Sequence, residues 1–202
     1  MSVNYGQEKF AKTASKLSYD QGNDKIDASA KVNLALNTGL TPGSGISGSA
    51  NTVYKSWCEE FGGITKTCVL MDLTDLACGD GANDIIGDDG GVANSHIGQY
   101  DENIMGTLFM VKLDVLEAPT GGDPDINLCF ADEATLAENA ALSSGTNTGS
   151  TLNNGDLAAG AVHYAHSGFA AKNQYWYLSN GTATENAYTA GAILITFYGT
   201  TL

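Results

Sequence analysis

Arginine is absent from this chain, and basic residues of any kind are few. The 202 residues hold nine basic side chains, all of them lysine, against 23 Asp and Glu, so the formal net charge is −14. Arginine is the side chain best suited to bidentate phosphate contacts, and an acidic surface repels phosphate. The composition therefore predicts that nucleic acid is not a partner.

Long apolar runs are missing as well. The longest, such as residues 192–195 (AILI), fall far short of the ~20 residues that a membrane-spanning helix needs. The N-terminal stretch MSVNYGQEKFAKTASKL contains no apolar signal-peptide core. We therefore expect no membrane partner and assembly in a cytoplasm.

Cysteine is scarce, and its spacing matches no metal-binding pattern. The four cysteines are Cys58, Cys68, Cys78 and Cys129, and no C-x-x-C occurs. In a cytoplasm they are expected to stay as thiols and to act as small apolar core residues. No metal or cofactor is predicted from them.

Charged residues and prolines are few, whereas glycine is abundant. Charged residues make up 16% of the chain, with 3 Pro and 25 Gly. Apolar residues alternate with polar ones in several segments; in residues 109–115, for example, Lys112 and Asp114 lie opposite the apolar side. The pattern predicts a mainly β fold, an antiparallel β-sandwich or jelly roll, with strands at residues 31–37, 67–73, 109–115, 126–131, 161–165, 174–178 and 192–198. Residues 126–131 follow a Pro- and Gly-rich turn and are expected to pair antiparallel with the preceding strand at residues 109–115.

Charge divides the chain near residue 31. Residues 1–31 carry +1, and residues 32–202 carry −15. We predict that residues 1–50 form an N-terminal arm and a Gly/Ser linker (TPGSGISGS at 41–49), and that residues 51–202 form the β-sandwich body. Short helices are expected at residues 7–20, 51–61 and 133–142.

Two patterns imitate ligand sites. Gly43 to Gly48 (GSGISG) matches the G-x-G-x-x-G of dinucleotide folds, but the strands after residue 100 alternate with turns, so a linker is the preferred interpretation. The stretch GDGANDIIG at 79–87 resembles one copy of a calcium-binding nonapeptide. A calcium site at Asp80, Asp84 and Asp88 and a solvated acidic turn both stay open.

An aromatic triplet offers a possible contact surface. In a strand, Tyr175 and Tyr177 lie on one side and Trp176 on the other. The two tyrosines could stack on sugars or fill a partner's pocket. In the alternative that we favour, Trp176 and Leu178 face the core while the tyrosines cover an edge.

Three stretches resemble virion structural proteins of marine tailed phages. They are residues 95–99 (SHIGQ), 116–128 (LEAPTGGDPDINL) and 188–195 (YTAGAILI), and the similarity runs from about Thr52 to the C-terminus. The resemblance implies a capsid-associated or decoration role and transfers no functional residues.

From these observations we expect a non-enzymatic decoration protein on the virion head surface, bound to the major capsid protein and forming a homo-oligomer such as a trimer. Two alternatives remain, a receptor- or glycan-binding module of a tail fibre and a glycan-degrading enzyme. The arm supplies lysines for acidic patches and apolar side chains for grooves on the capsid lattice. The predicted docking residues are Lys9, Phe10, Lys12, Lys16 and Leu17.

Overall fold

The fold is built almost entirely from antiparallel strands. A computed structural model describes residues 18–20, 25–27, 37–153, 155–182 and 186–201. The chain divides into two units, Met1–Leu36 and Asn37–Leu202. The prediction of a mainly β, antiparallel sandwich with short helices is confirmed.

In the first unit, strand β1 (Ser18–Asp20) pairs antiparallel with β2 (Lys25–Asp27). A helix was predicted for residues 7–20. Its last three residues belong to β1 instead, and residues 7–17 lie outside the described part of the chain.

The second unit contains the sandwich. Its described strands are β3 (Asn37–Thr38), β4 (Tyr54–Phe61), β5 (Ile64–Asp72), β6 (Leu76–Cys78), β7 (Gly87–Asp88), β8 (Gly98–Gln99), β9 (Thr107–Thr120), β10 (Ile126–Ala131), β11 (Gly149–Leu152), β12 (Val162–Ala165), β13 (Tyr175–Asn180), β14 (Asn186–Ala187) and β15 (Ala190–Thr200). Two short α-helices, α1 (Ser44–Ser47) and α2 (Glu102–Met105), and a 3-10 turn at Leu142–Ser144 complete the described elements. No helix among the described residues has the length and apolar character needed to cross a bilayer.

Two sheets stack to form the sandwich. One has six strands in the order β12-β9-β15-β5-β4-β3, and the other has four in the order β11-β10-β13-β8. A small third sheet has three strands in the order β14-β6-β7. All pairings between the described strands are antiparallel. Because a strand backbone is pleated, consecutive side chains on each strand alternate between two faces.

The main core lies between the two large sheets. The rings of Trp176 on β13 and Phe197 on β15 meet there with centroids 4.9 Å apart. The cluster also includes Val69, Met71, Val111, Leu113, Val115, Ile193 and Ile195 from the six-stranded sheet and Ile126, Leu128, Leu152 and Leu178 from the four-stranded sheet.

The four-stranded sheet is enclosed on both sides. Its far face contacts a second apolar cluster made of Ile85, Cys129, Ala131, Leu136, Leu142 and Tyr177. A strand that is covered on both faces contains a continuous run of buried residues instead of alternating buried and exposed residues. In β13, every residue after Tyr175 is buried.

The helix predicted for residues 51–61 is wrong, because this segment forms strand β4. Trp57 and Phe61 are four residues apart, which places them on one face of a helix but equally on one side of a strand. Gly62 and Gly63, with φ of 61° and 79°, form the two-residue turn of a β4–β5 hairpin. Positive φ at both central positions is the geometry of a hairpin turn, so Gly62 begins a turn rather than ending a helix.

The boundary predicted at residue 50 also differs from the structure. Residues 37–50 belong to the second unit, where Ile46 of helix α1 is completely buried. The amides of Gly43 and Gly45 donate to the carbonyls of His96 and Asn94. These glycines therefore hold a packed turn against the body, and they are not part of a linker.

Two further expectations fail in detail. Strand β10 does not return against β9; it pairs with β11 and β13 in the other sheet. Residues 133–142 form turns and isolated bridges instead of a helix, and they cover the far face of the four-stranded sheet. Apolar contacts to that sheet override the helix propensity of the Ala-rich segment.

Candidate interaction surface

One face of the six-stranded sheet is directed away from both apolar clusters of the described residues. The strand register arranges its side chains in three rows across β4, β5, β15, β9 and β12. We call these fourteen residues the outer face: Lys55, Leu70, Leu194, Asp114 and Val162 in the first row; Trp57, Cys68, Thr196, Lys112 and Tyr164 in the second; Glu59, Lys66, Tyr198 and Met110 in the third.

Charge on the outer face differs from charge on the rest of the body. Residues 32–202 contain four lysines and nineteen acids, and three of those lysines lie here with only two of the acids. Lys172 is then the one remaining lysine against seventeen acids elsewhere. The outer face is near neutral on a strongly acidic body.

The charged groups of the outer face largely neutralise one another. Lys66 Nζ lies 3.8 Å from Glu59 Oε2, and Lys112 Nζ lies 2.7 Å from Asp114 Oδ1. The hydrogen bond that the Lys112 ammonium donates to Asp114 raises the pKa of Lys112. Such partly exposed pairs contribute little to stability, but they leave the face without a strong field of either sign.

Apolar and aromatic side chains fill the space between these pairs. At the centre, Cys68 and Thr196 are 0% and 2% exposed, although they point away from the core. At the margin, Val162 and Tyr164 on β12 are 43% and 54% exposed. Neither apolar cluster of the described residues includes any residue of this face. Within the described part of the chain, the face is thus a closely packed layer that is buried at its centre and exposed at its margin.

Two other aromatic side chains extend the apolar surface. Phe61, at the tip of the β4–β5 hairpin, is 90% exposed. Alternation in residues 109–115 places Phe109 on the same side as Val111, but a register shift between β9 and β15 turns it outward, and its ring lies 6.3 Å from that of Tyr198. A bulge of this kind cannot be read from alternation alone.

The predicted docking residues lie in the first unit. Lys9, Phe10, Lys12, Lys16 and Leu17 are all outside the described residues. Their role therefore stays a prediction.

The predicted surface-aromatic contact is wrong for Tyr177. Its side chain is completely buried in the second cluster, and its hydroxyl donates to the carbonyl of Glu133 at 2.6 Å. Burial raises the pKa of this phenol. The reason is the cover on the far side of the four-stranded sheet, which encloses the side of β13 that was expected to form an edge.

Tyr175, by contrast, is half-buried and borders a cavity. Its ring lies 4.8 Å from that of His96, and both line a space of about 490 Å³ together with Gln99, Asp101 and residues 39–42. Burial lowers the pKa of His96 to about 4, so this imidazole is neutral at physiological pH. The cavity has an aromatic wall, an amide and a carboxylate, which suits a polar uncharged ligand such as a sugar.

The acidic turn at residues 79–88 holds itself together. The Asp84 carboxylate accepts a hydrogen bond from the amide of Gly81 at 2.7 Å, and its side chain is buried. Among the described residues, no group of three or more His, Cys, Asp or Glu is arranged to hold a metal ion. The Asp84 side chain therefore stabilises the turn at residues 79–88.

Asp125 lies close to Asp123 and Asp156, and its pKa is raised, first by burial and then by their negative charges. A carboxyl with a higher pKa in the folded chain binds its proton more tightly there, so its ionisation lowers stability above that pKa. Asp125→Asn is expected to raise the Tm at pH 7 by about 1–3 °C. The gain in Tm shrinks as the pH falls and vanishes near pH 3, where the Asp125 carboxyl is protonated in both the folded and the unfolded chain. Thermal unfolding at several pH values measures this; an equal gain at every pH would contradict it.

Most of the outer face was not predicted as a site. Lys112 and Asp114 were recognised as the polar side of a strand, but Trp57 was assigned to a helix. The Gly62-Gly63 pair between two apolar segments was the signal that could have identified the hairpin. Comparisons with protein-family models, curated proteins and solved structures find no significant match to this chain.

Proposed function

We propose that this chain is a non-enzymatic virion structural protein that binds the major capsid protein lattice on the head surface and stabilises the head as a decoration protein. The observation that carries the proposal is the division of charge. The boundary between the +1 segment and the −15 segment, at residue 31, lies close to the boundary between the two structural units, at residue 36.

The two units have different roles in this proposal. Five of the nine lysines lie in the first 31 residues, where they can pair with acidic patches on a protein lattice. Phe10 and Leu17 supply apolar anchors, which contribute more binding energy than exposed charge pairs do. The acidic body stays outside, because its charge opposes non-specific association.

The use of buried carboxylates supports a structural role for the body. Asp123 accepts hydrogen bonds from the amide of Asp125 at 3.0 Å and from the amide and hydroxyl of Thr182 at 2.8 and 2.6 Å. Asp84 likewise accepts from a backbone amide. These carboxylates stabilise turns, and their oxygens are occupied by the fold.

The proposal predicts that reversing the charge of Lys9, Lys12 and Lys16 to glutamate in the full chain weakens binding to purified heads that lack the protein. We expect at least a tenfold loss at low salt, because three attractive contacts become repulsive. Co-sedimentation with heads measures the bound fraction. Lys172→Glu is the control, because it changes an exposed lysine of the body.

Full binding by the triple variant would refute docking through the first unit. If the wild-type chain fails to bind heads at any salt concentration, the capsid role itself is wrong.

A second candidate is a receptor- or glycan-binding module of a tail fibre, favoured by the cavity that Tyr175 and His96 line. Copy number separates the two. Mass spectrometry of purified particles should find a decoration protein at an abundance comparable to the major capsid protein, whereas a fibre tip is far less abundant. Turnover of a host polysaccharide by the purified chain would instead indicate a glycan-degrading enzyme.

A further inference from the structure

We infer that the outer face is the contact between two copies of this chain, which pack sheet against sheet about a two-fold axis. This assigns a surface to the homo-oligomer expected from the sequence, and it gives that oligomer two-fold symmetry in place of the three-fold symmetry of a trimer. It does not depend on the capsid proposal, because it concerns the isolated protein.

The composition of the outer face suits contact with another protein surface. Its first two rows have Leu70, Leu194, Cys68 and Thr196 at the centre, with Trp57 towards one edge. Apolar cores flanked by aromatic side chains and by a polar rim are typical of protein interfaces. The matching face of the four-stranded sheet is covered by residues of the same chain, whereas neither apolar cluster of the described residues packs against the outer face of the six-stranded sheet.

The size of the outer face reaches the lower end of what a dimer needs. Three rows about 7 Å apart on five strands about 4.8 Å apart give roughly 500 Å² per copy. Two such faces bury roughly 1,000 Å² in total, which is about the smallest area expected of a specific interface.

Charge selects a second copy as the occupant. Lys66 and Lys112 are already paired within the face, at 3.8 and 2.7 Å from their carboxylates. An acidic partner would therefore compete with Glu59 and Asp114 for these lysines, and a basic partner would meet them as like charges. A self-neutralised apolar face is complementary to another face of the same kind, whereas the rest of the body, with one lysine and seventeen acids, carries a net negative charge that opposes self-association.

The two-fold arrangement follows from sheet geometry. Twisted sheets that stack face to face lie about 10 Å apart with their strands rotated by about 30°. An isologous pair of outer faces then places the central leucines of one copy against those of the other. The product is a four-layered β structure with both acidic exteriors directed away from the contact.

The effect of salt on the dissociation constant distinguishes this apolar contact from one held together by charge pairs between lysines and acids. Added salt screens the repulsion between two chains that each carry −14 and leaves apolar contacts intact. We expect the dimer of this 20.9 kDa chain to become tighter between about 50 and 500 mM NaCl. Sedimentation equilibrium of the full-length protein measures the mass and the dissociation constant.

Leu194→Lys places an uncompensated charge at the centre of the face, and we expect it to raise the dissociation constant at least 100-fold. Tyr164→Lys, at an exposed position on the edge strand β12, is a milder second variant with an expected loss of about tenfold, and because this side chain is 54% exposed, the substitution leaves the packing of the sheet unchanged. Thr135→Lys makes the same charge change in the segment that covers the four-stranded sheet and should leave the dimer intact.

Three results would overturn the inference: a wild-type chain that stays monomeric at about 100 µM in high salt, a dimer that weakens with salt, or a dimer that both lysine variants retain. A trimer would refute the two-fold pairing. None of these results depends on binding to heads, so this inference and the proposed function can fail separately.

Discussion

Replacing Trp176 with alanine is expected to lower the free energy of unfolding by about 3–5 kcal/mol, the usual cost of removing a buried aromatic side chain. Trp176 is completely buried, with Phe197 of the facing sheet at 4.9 Å and Phe130 at 6.0 Å between ring centroids. The substitution opens a cavity between the two sheets, which only partly relaxes.

Trp57, the chain's other tryptophan, provides a matched control. It lies on the outer face, and its Nε1 donates to Glu59 at 3.0 Å. Trp57→Ala is expected to cost about 1 kcal/mol, because its ring is only partly removed from water. Urea unfolding of both variants at low protein concentration, where association does not contribute, measures the difference. Similar losses for the two variants would contradict the assignment of inner and outer faces.

Trp176→Phe separates packing from hydrogen bonding at the same position. The buried Nε1 of Trp176 has no hydrogen-bond partner. Phenylalanine keeps an aromatic ring and removes this unsatisfied donor, so we expect the loss to be well below that of alanine. A loss as large as that of alanine would mean that the indole nitrogen has an essential role.

Asn180→Leu is expected to lower the free energy of unfolding by about 3 kcal/mol, because two buried backbone groups lose their partners. Asn180 is completely buried. Its Oδ1 accepts from the amide of Asp84 at 2.7 Å, and its Nδ2 donates to the carbonyl of Gly79 at 3.0 Å. The side chain thereby attaches the acidic turn to the end of β13.

Asn180→Asp tests the same bonds through pH. The aspartate keeps the acceptor for Asp84, but its ionised form cannot donate to Gly79 and is buried. Burial raises the pKa of such a carboxyl in the folded chain, so its ionisation lowers stability at pH 7, and stability returns as the pH falls. Chemical unfolding at pH 7 and pH 4 measures the recovery. Asn153→Leu, at an exposed position, is the control and should change stability by less than about 0.5 kcal/mol.

The fold class was accessible from sequence because period-two patterns in β5, β9 and β15 are strong. Val111, Leu113 and Val115 alternate with Lys112 and Asp114, and each group lies on the face that the alternation predicts. Predictions for segments with ambiguous spacing of apolar residues were wrong. Trp57 and Phe61 fit a helix and a strand equally well, and only pairing with β5 decides between them.

The interaction surface depends on contacts that no local pattern encodes. Lys55 and Lys66 share this face through the local β4–β5 hairpin, but Lys112 joins them only because β15 lies between β5 and β9. Tyr177 was misplaced for a related reason. The segments that enclose its side of β13 come from distant parts of the chain, and their docking cannot be inferred from the triplet itself.

The burial of all four cysteines has a practical consequence. Cys68 and Cys129 have no exposed surface, and burial raises the pKa of both thiols, which slows alkylation. A cysteine introduced at the exposed Thr135 would then be the one thiol that maleimide reagents reach readily. A fluorophore or gold cluster could be attached there without removing any native cysteine, and its position in any complex that the chain forms could be read directly by electron microscopy.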